Sequence, residues 1–308
     1  MKPRPIIFDT DPGIDDAAAI VIAARNRNLD VKLLSTVGAN VEVEKTTMNA
    51  LRLTEFLQAD IPVARGCGEP LLRKLEPCPE IHGVTGMDGY DFPPVTGKPL
   101  EKHSVEVMRE MIMESEEPIT LVVIGTHTNI AILFRMYPEV KARIAEIVTM
   151  GGGLAGGNTN STAEFNIYND PHAAAVVFGS GVPITMLGLN VTNKAVIYRE
   201  DAEKIDASGK EGHMLYSLFE HYRGGTLDAG LKVHDAVAVA YMLQPEMFKT
   251  EMLSIEIATE GVAAGTTVSD FRAVQRGEKT PNVNVCVDVD AEQFRRWFVG
   301  EFCGQAER

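Results

Sequence analysis

Short apolar runs alternate with helical patterns along most of the chain. The pattern opens with a buried strand over 4–8, and an Ala-rich helix follows over about 16–27. Further strands are predicted over 31–37, 61–64, 119–124, 144–150 and 183–187, and further helices over 43–57, 211–222 and 235–243. Such alternation predicts an open, mostly parallel α/β sheet that is doubly wound, with helices on both faces.

The last part of the chain is less regular. Strand-like runs over 251–258 and 282–289 precede a closing amphipathic helix that begins near Asp290. No Ser/Pro-rich linker or low-complexity tract divides the sequence, which predicts a single domain over 1–308.

Polar clusters directly follow four of the predicted strands. They are DTDPGIDD at 9–16, GAN at 38–40, GTHTN at 125–129 and GGG at 151–153. In an open α/β sheet, ligands bind in the crevice beyond the carboxyl ends of the strands. We therefore expect these clusters, which are far apart in sequence, to converge there on one active site.

The first cluster contains four carboxylates, those of Asp9, Asp11, Asp15 and Asp16. Like charges so close repel one another and raise each other's pKa unless something compensates them. A helix N-terminus or a hard divalent cation would do so. A turn with solvated acids is the alternative, but it accounts for only one or two of the four. Because the ligands are oxygens, calcium suits the site better than zinc, whereas ligand type alone does not exclude magnesium.

The amino-acid composition limits the kinds of molecule that the protein is expected to bind. The net charge of −14 argues against nucleic acid and fits an enzyme that handles neutral or cationic small molecules. The first residues are not typical of a signal peptide, and no apolar stretch is long enough to span a bilayer, so no membrane partner is expected. The four cysteines have no metal-ligand spacing and indicate free thiols in a reducing cytoplasm.

The motif DTDPGIDDAAAI resembles the N-terminal signature of the inosine-uridine nucleoside hydrolase family. The resemblance continues in order through VGAN, IHGVTGMDGY, GTHTNIA, MGGGLAGGN, AEFNI and VHDAVAVAY. Its pattern is most similar to that of the bacterial non-specific ribonucleoside hydrolases. The resemblance implies calcium-dependent hydrolysis of the N-glycosidic bond of purine and pyrimidine ribonucleosides, in nucleoside salvage. It also implies a homo-oligomer, either a tetramer or a dimer.

The resemblance further implies how the metal is held. The carboxylates of Asp11, Asp16 and Asp235 and the backbone carbonyl of Thr128 would bind Ca²⁺. Asp11 would also act as the general base for the attacking water.

Ribose binding is assigned in the same way. Asp15 matches a position that binds a ribose hydroxyl, and Asn40 would lie beside it. The positions of Asn158 and Glu164 are expected near the 5′ end of the sugar, and that of Asn166 near its 2′ and 3′ hydroxyls. Met150 matches a position that lines the pocket. Acids and amide oxygens around a ribose stabilise the positive charge of an oxocarbenium-like transition state.

For the base, the resemblance implies contacts from His82 and His234, with His234 the better candidate for the general acid. Phe165 is placed to stack against the base, and Tyr222 is retained in the loop that precedes His234.

Three positions depart from the family pattern. Thr226 stands where some relatives carry an aromatic residue, Ala39 stands where the family usually has glycine, and His127 lies in the metal turn where many relatives are apolar. The first two leave the base preference open.

Parts of the sequence also fit two other functions. IIFDTD also fits a haloacid-dehalogenase-like magnesium phosphohydrolase, with Asp9 as nucleophile and Asp11 as acid/base. That class normally has Thr or Val where this chain has Gly13. A non-catalytic calcium-stabilised binding protein would explain the acids but leaves His234 without a role.

Overall fold

The computed structural model describes residues 2–304, and twelve strands form within them. They are β1 Arg4–Thr10, β2 Leu29–Thr36, β3 Val63–Arg65, β4 Ile119–Val123, β5 Ile144–Met150, β6 Ile184–Leu187, β7 Val196–Ile197, β8 Leu231–Lys232, β9 Phe248–Leu253, β10 Ile255–Ile257, β11 Thr267–Ser269 and β12 Val283–Val289. Eight of them build the main sheet in the order β3-β2-β1-β4-β5-β6-β12-β9. All neighbours in it are parallel except β12 and β9.

Thirteen helices accompany the strands over the same residues. They are α1 Ile14–Arg25, α2 Val43–Leu57, α3 Pro79–His82, α4 Ser104–Glu114, α5 Thr128–Met136, α6 Phe165–Asn169, α7 Pro171–Phe178, α8 Leu189–Thr192, α9 Arg199–Asp206, α10 Lys210–His221, α11 Ala236–Leu243, α12 Phe271–Gln275 and α13 Ala291–Cys303. Short 3₁₀ turns occur between several of them, one of which is Tyr222–Gly224. In the described part of the chain, no helix combines the length and apolar character needed to cross a bilayer.

Both faces of the main sheet are covered by helices. Ile6 and Phe8 of β1 belong to an apolar cluster that includes residues of α1, α2, α10, α11 and α13. Ile7, which lies between them and points to the opposite face, packs with residues of α4, α5 and α7. A strand buried on both sides has a continuous apolar sequence, which is why β1 could be recognised from the pattern. The predicted doubly wound, mostly parallel α/β fold is confirmed.

Two of the predicted elements are wrong in detail. The strand expected over 61–64 lies at Val63–Arg65. The single strand expected over 251–258 is two strands, because β9 pairs with β12 in the main sheet whereas β10 pairs with β11 in a separate hairpin. Apolar alternation reports burial but not the partner strand, so it does not reveal this break. One domain over 1–308 stays a prediction.

Strand register aligns the loops that carry the polar clusters. Asp9 of β1 pairs with Ser35 of β2 and with Val123 of β4. The turns that follow these three strands therefore leave the sheet at one edge. Asn129, in the first turn of α5, ties this edge together. Its Nδ2 donates to Asp9 Oδ1 at 2.8 Å and to the Thr36 carbonyl at 3.0 Å, and its Oδ1 accepts from Cys67 N at 2.8 Å.

We expect Asn129→Ala to lower the free energy of unfolding by about 1–3 kcal/mol, because it leaves several buried polar groups without partners. Urea unfolding followed by circular dichroism measures the change. Asn28→Ala, at an exposed position, is the matched control and should change stability little. An Asn129 variant as stable as the control would contradict this role.

Candidate active site

Four buried aspartates meet at the carboxyl edge of the sheet. Asp11, Asp15, Asp16 and Asp235 are each no more than 5% exposed. Single oxygens of Asp15, Asp16 and Asp235 lie within 4.8 Å of one another. Sequence placed Asp15 with the ribose contacts, whereas the structure puts it beside two predicted metal ligands. The cluster offers only oxygen donors, which is the ligand type that hard divalent cations prefer.

The carboxylates of Asp16 and Asp11 differ in the number of hydrogen bonds that they accept. Asp16 accepts hydrogen bonds from Thr10 Oγ1 at 2.6 Å, from Gly13 N at 2.9 Å and from Asn40 Nδ2 at 3.2 Å. Asp11 Oδ2 accepts from Asn40 N at 2.8 Å. Asp11 Oδ1 is buried and has no hydrogen-bond partner within residues 2–304. An orphaned carboxylate oxygen beside three further carboxylates is the arrangement that a cation would complete.

The electrostatics of the cluster lead to the same conclusion. Burial, with repulsion from Asp16 as the next cause, raises the pKa of Asp15 to about 7. Burial followed by repulsion from neighbouring aspartates also raises the pKa of Asp11 and of Asp235 well above its ordinary value. The cluster therefore resists full ionisation unless positive charge is supplied. These residues fit a metal ion.

Thr128 opens α5 next to this cluster. Its hydroxyl donates to Asp170 Oδ2 at 2.7 Å. In the preceding turn, a Cβ added at Gly125 would lie 2.6 Å from Asp11 Oδ1, so the backbone of this turn approaches the cluster closely. That the Thr128 carbonyl binds metal stays a prediction.

A pocket of about 300 Å³ opens onto the cluster. All eight predicted substrate-binding residues line it: Asp15, Asn40, Met150, Asn158, Glu164, Phe165, Asn166 and Tyr222. His82, His234 and Asp235 line it as well, whereas Asp11, Asp16 and Thr128 are not among its lining residues. The tertiary structure therefore brings all the predicted substrate contacts to one cavity of small-molecule size.

Glu164 does more than face the pocket. It caps α6, accepting from Asn166 N at 2.9 Å and from Ile167 N at 3.2 Å, and it also accepts from Gly152 N at 2.9 Å. Burial raises the pKa of Glu164 to about 7, although these backbone donors act in the opposite direction. Asn166 Nδ2 donates to the carbonyls of Ile124, at 2.8 Å, and Met150, at 3.2 Å. Its amide oxygen is therefore the group left to meet a ligand.

In each of the two histidines that are predicted to contact the base, the Nδ1 atom lies within hydrogen-bonding distance of another residue. His82 Nδ1 accepts from the Ile14 N–H at 3.1 Å, at the start of α1, so the neutral ring carries its proton on Nε2. His234 Nδ1 lies 2.8 Å from Thr192 Oγ1, and its buried Nε2 has no partner in the described chain. Burial, followed by repulsion from Arg223, lowers the pKa of each histidine to about 3. Both rings are therefore neutral at pH 7, which disfavours the imidazolium form that a histidine general acid uses.

Several pocket residues were missed by sequence reasoning. Arg223, Glu76, Glu80 and Tyr168 all line the cavity. The available signal for Arg223 was a lone arginine before two glycines in the loop that precedes His234. His127 is not a lining residue; its Nε2 lies 3.1 Å from Thr149 Oγ1 and its ring packs on Phe178.

Fold and site together define an α/β enzyme in which an acidic, metal-type cluster adjoins a pocket rich in hydroxyl-binding side chains. The chain matches the family model "Inosine-uridine preferring nucleoside hydrolase" over residues 6–296, and it belongs to that family. The family and the enzyme class predicted from the sequence are thereby confirmed.

Known nucleoside hydrolases are similar to this chain over nearly its full length. The chain is 46% identical over 294 residues to the "Non-specific ribonucleoside hydrolase RihC" of Klebsiella pneumoniae, covering 95% of this chain and 96% of the relative. A plant nucleoside hydrolase, the PpNRh1 enzyme, superimposes with a TM-score of 0.91 at 30% identity, covering 98% of this chain and 99% of that one. A "Purine-Preferring Ribonucleoside Hydrolase" from Gardnerella vaginalis gives 0.91 at 28% identity, covering 99% of both chains.

The raised aspartate pKa values predict how metal-free protein responds to pH. The native cluster holds protons more tightly than the unfolded chain does, so its contribution is fully present below the ordinary pKa, about 4. That contribution is lost as the pH rises through about 7. In chelator, we expect the melting temperature of the wild type, relative to that of Asp235→Asn, to fall between pH 5 and pH 8.

Adding Ca²⁺ at a hundred times its Kd should stabilise the wild type at pH 8 by about 2.7 kcal/mol and the Asp235 variant much less. Scanning calorimetry measures both effects. Asp91→Asn, at an exposed position, removes the same charge and should behave as the wild type does. If the melting temperatures of the wild type and of Asp235→Asn changed in parallel at every pH, the result would contradict the raised pKa values of the aspartate cluster.

Proposed function

We propose that the chain hydrolyses the N-glycosidic bond of purine and pyrimidine ribonucleosides with the help of Ca²⁺, releasing ribose and the free base. The observation that carries the proposal is the juxtaposition of the buried aspartate cluster with a pocket lined by all eight predicted substrate contacts. The name of the Klebsiella relative, a non-specific ribonucleoside hydrolase, supports the broad substrate range.

Asp11, Asp16 and Asp235 would hold the ion together with the Thr128 carbonyl, and Asp15 lies close enough to contribute. When bound, a divalent cation acidifies a water molecule and polarises nearby hydroxyls.

The protein's own groups perform the remaining steps. The Asp11 carboxylate, which the Asn40 amide orients through Oδ2, is the acceptor for the proton of the attacking water. Asp15 and the free oxygen of Asn166 bind the 2′ and 3′ hydroxyls, while Asn158 and Glu164 hold the 5′ end. Carboxylates on several sides of the sugar stabilise the positive charge that develops as the C1′–N bond breaks.

The base occupies the side of the pocket formed by His82, His234, Phe165 and Tyr222. His82 Nε2–H is a neutral donor whose orientation is fixed by Ile14. His234 Nε2 has its hydrogen-bonding capacity free for a base atom. Both act on the leaving group as neutral hydrogen-bonding partners in this proposal.

The phosphohydrolase alternative is not supported by the position of Asp9. Its Oδ1 accepts from Ser35 Oγ at 2.6 Å and from Asn129 Nδ2 at 2.8 Å. Asp9 does not line the pocket, so it is unsuited to attack a substrate there. The homo-oligomeric state and the cytoplasmic location stay predictions.

We expect Asp11→Asn to reduce kcat by at least about a hundred-fold, in line with the loss of a positioned general base. The assay is release of reducing sugar from a panel of ribonucleosides, with and without chelator. Asp91→Asn is the surface control. An Asp11 variant that retains more than a few per cent of wild-type turnover would remove Asp11 from the reaction.

Ribose recognition predicts discrimination against deoxynucleosides. Loss of the 2′ hydroxyl leaves buried partners such as Asp15 unpaired, so kcat/KM for deoxyuridine should fall about a hundred-fold or more below that for uridine. Steady-state kinetics on the two substrates provide the test. Equal specificity constants would contradict the assigned ribose contacts.

A further inference from the structure

The loop between α10 and β8 contains an arginine in a backbone conformation that suits glycine. Arg223 has φ 51° and ψ 38°, and the next two residues, Gly224 and Gly225, have φ 68° and φ 93°. Left-handed backbone costs free energy for any residue with a Cβ, and glycine avoids that cost. Residues with strained backbone cluster at active sites and ligand-binding loops, which makes Arg223 a candidate functional residue.

The side chain of Arg223 lies on the base side of the pocket. Its guanidinium carbon is 5.4 Å from the ring centroid of Tyr222, and that ring packs edge-on against His82 at 5.3 Å. Both neighbours belong to the region assigned to the nucleobase. Arg223 is thus placed on the side of the pocket that is assigned to the leaving group.

Among residues 2–304, Arg223 is also the only lysine or arginine that lines the pocket. Five carboxylates of the same residues line it: Asp15, Glu76, Glu80, Glu164 and Asp235. The nearby Arg199 pairs with Glu220 and Asp228. Arg223, by contrast, makes no ion pair with any carboxylate of the described chain. Its charge is therefore available to a ligand.

The reaction creates a need for such a charge. When the C1′–N bond breaks, its electron pair leaves with the base, the water oxygen bonds to C1′ and loses a proton to Asp11, and the base takes up a proton from solvent. Until that proton arrives, the base carries negative charge on its ring nitrogens and exocyclic oxygens. A guanidinium is always protonated, offers only donors and requires no proton transfer to stabilise that charge.

We propose that Arg223 determines base specificity: its guanidinium contacts the departing nucleobase and favours ribosides whose base bears a carbonyl oxygen, such as uracil or hypoxanthine, over adenine, which has none. The proposal rests on the ribonucleoside hydrolase activity proposed above.

The test compares Arg223→Gln with Arg272→Gln, a control that removes an exposed charge elsewhere on the surface. We expect Arg223→Gln to lower kcat/KM for inosine and uridine by about ten- to a hundred-fold, and that for adenosine by less than about three-fold. Arg223→Lys should recover part of the lost preference because it keeps the charge. The control should match the wild type on all three substrates.

A stability measurement distinguishes a role of Arg223 in the reaction from a role in folding. Arg223→Gly should raise the melting temperature, because glycine adopts φ 51° freely, while it reduces inosine hydrolysis as the glutamine variant does. An equal loss on inosine and adenosine, an unchanged ratio, or a lysine variant no better than glutamine would overturn the assignment of Arg223. A wild-type protein that releases no sugar from any riboside would instead contradict the proposed function.

Discussion

Burying several like charges together is the constraint on which this structure depends. Asp11 lies in the turn after β1, Asp15 and Asp16 lie in the first turn of α1, and Asp235 directly precedes α11; the core leaves all four almost no exposure. Hydrogen bonds satisfy Asp16 fully but leave one oxygen of Asp11 unpaired. Desolvated carboxylates need positive charge nearby, so the geometry of this cluster suits it to hold a metal ion.

The N-terminus of α1 connects this cluster to the base side of the pocket. Gly13 N–H donates to Asp16, and the next amide, that of Ile14, donates to His82. A Cβ at Gly13 would lie 2.6 Å from His82 Nδ1, so only glycine permits this approach. The same turn therefore orients a predicted metal ligand and sets the tautomer of His82, a histidine predicted to contact the base.

The small β10–β11 hairpin, which lies outside the main sheet, supports the wall of the pocket that contains Glu164. Thr267 Oγ1 accepts from Gly153 N at 2.9 Å and donates to the Gly153 carbonyl at 2.5 Å. Gly152, the neighbouring residue, donates to Glu164. The glycine-rich turn after β5 is thus hydrogen-bonded both to the hairpin and to Glu164. These contacts fix the geometry of this part of the pocket, although it is formed by a turn and not by a strand.

The sequence by itself determined the fold class, the end of the sheet that carries the site, and eight of the side chains that line the pocket. It did so because apolar periodicity reports burial, and because the polar motifs follow strands whose ends must meet. Only the tertiary structure decided that Asp15 lies within 4.8 Å of Asp16 and Asp235, that burial lowers the pKa of His82 and His234, that Arg223 lines the pocket, and that 251–258 divides between two sheets. These properties depend on desolvation, on hydrogen-bond partners and on strand pairing between segments distant in the chain, and local sequence carries no record of such distances.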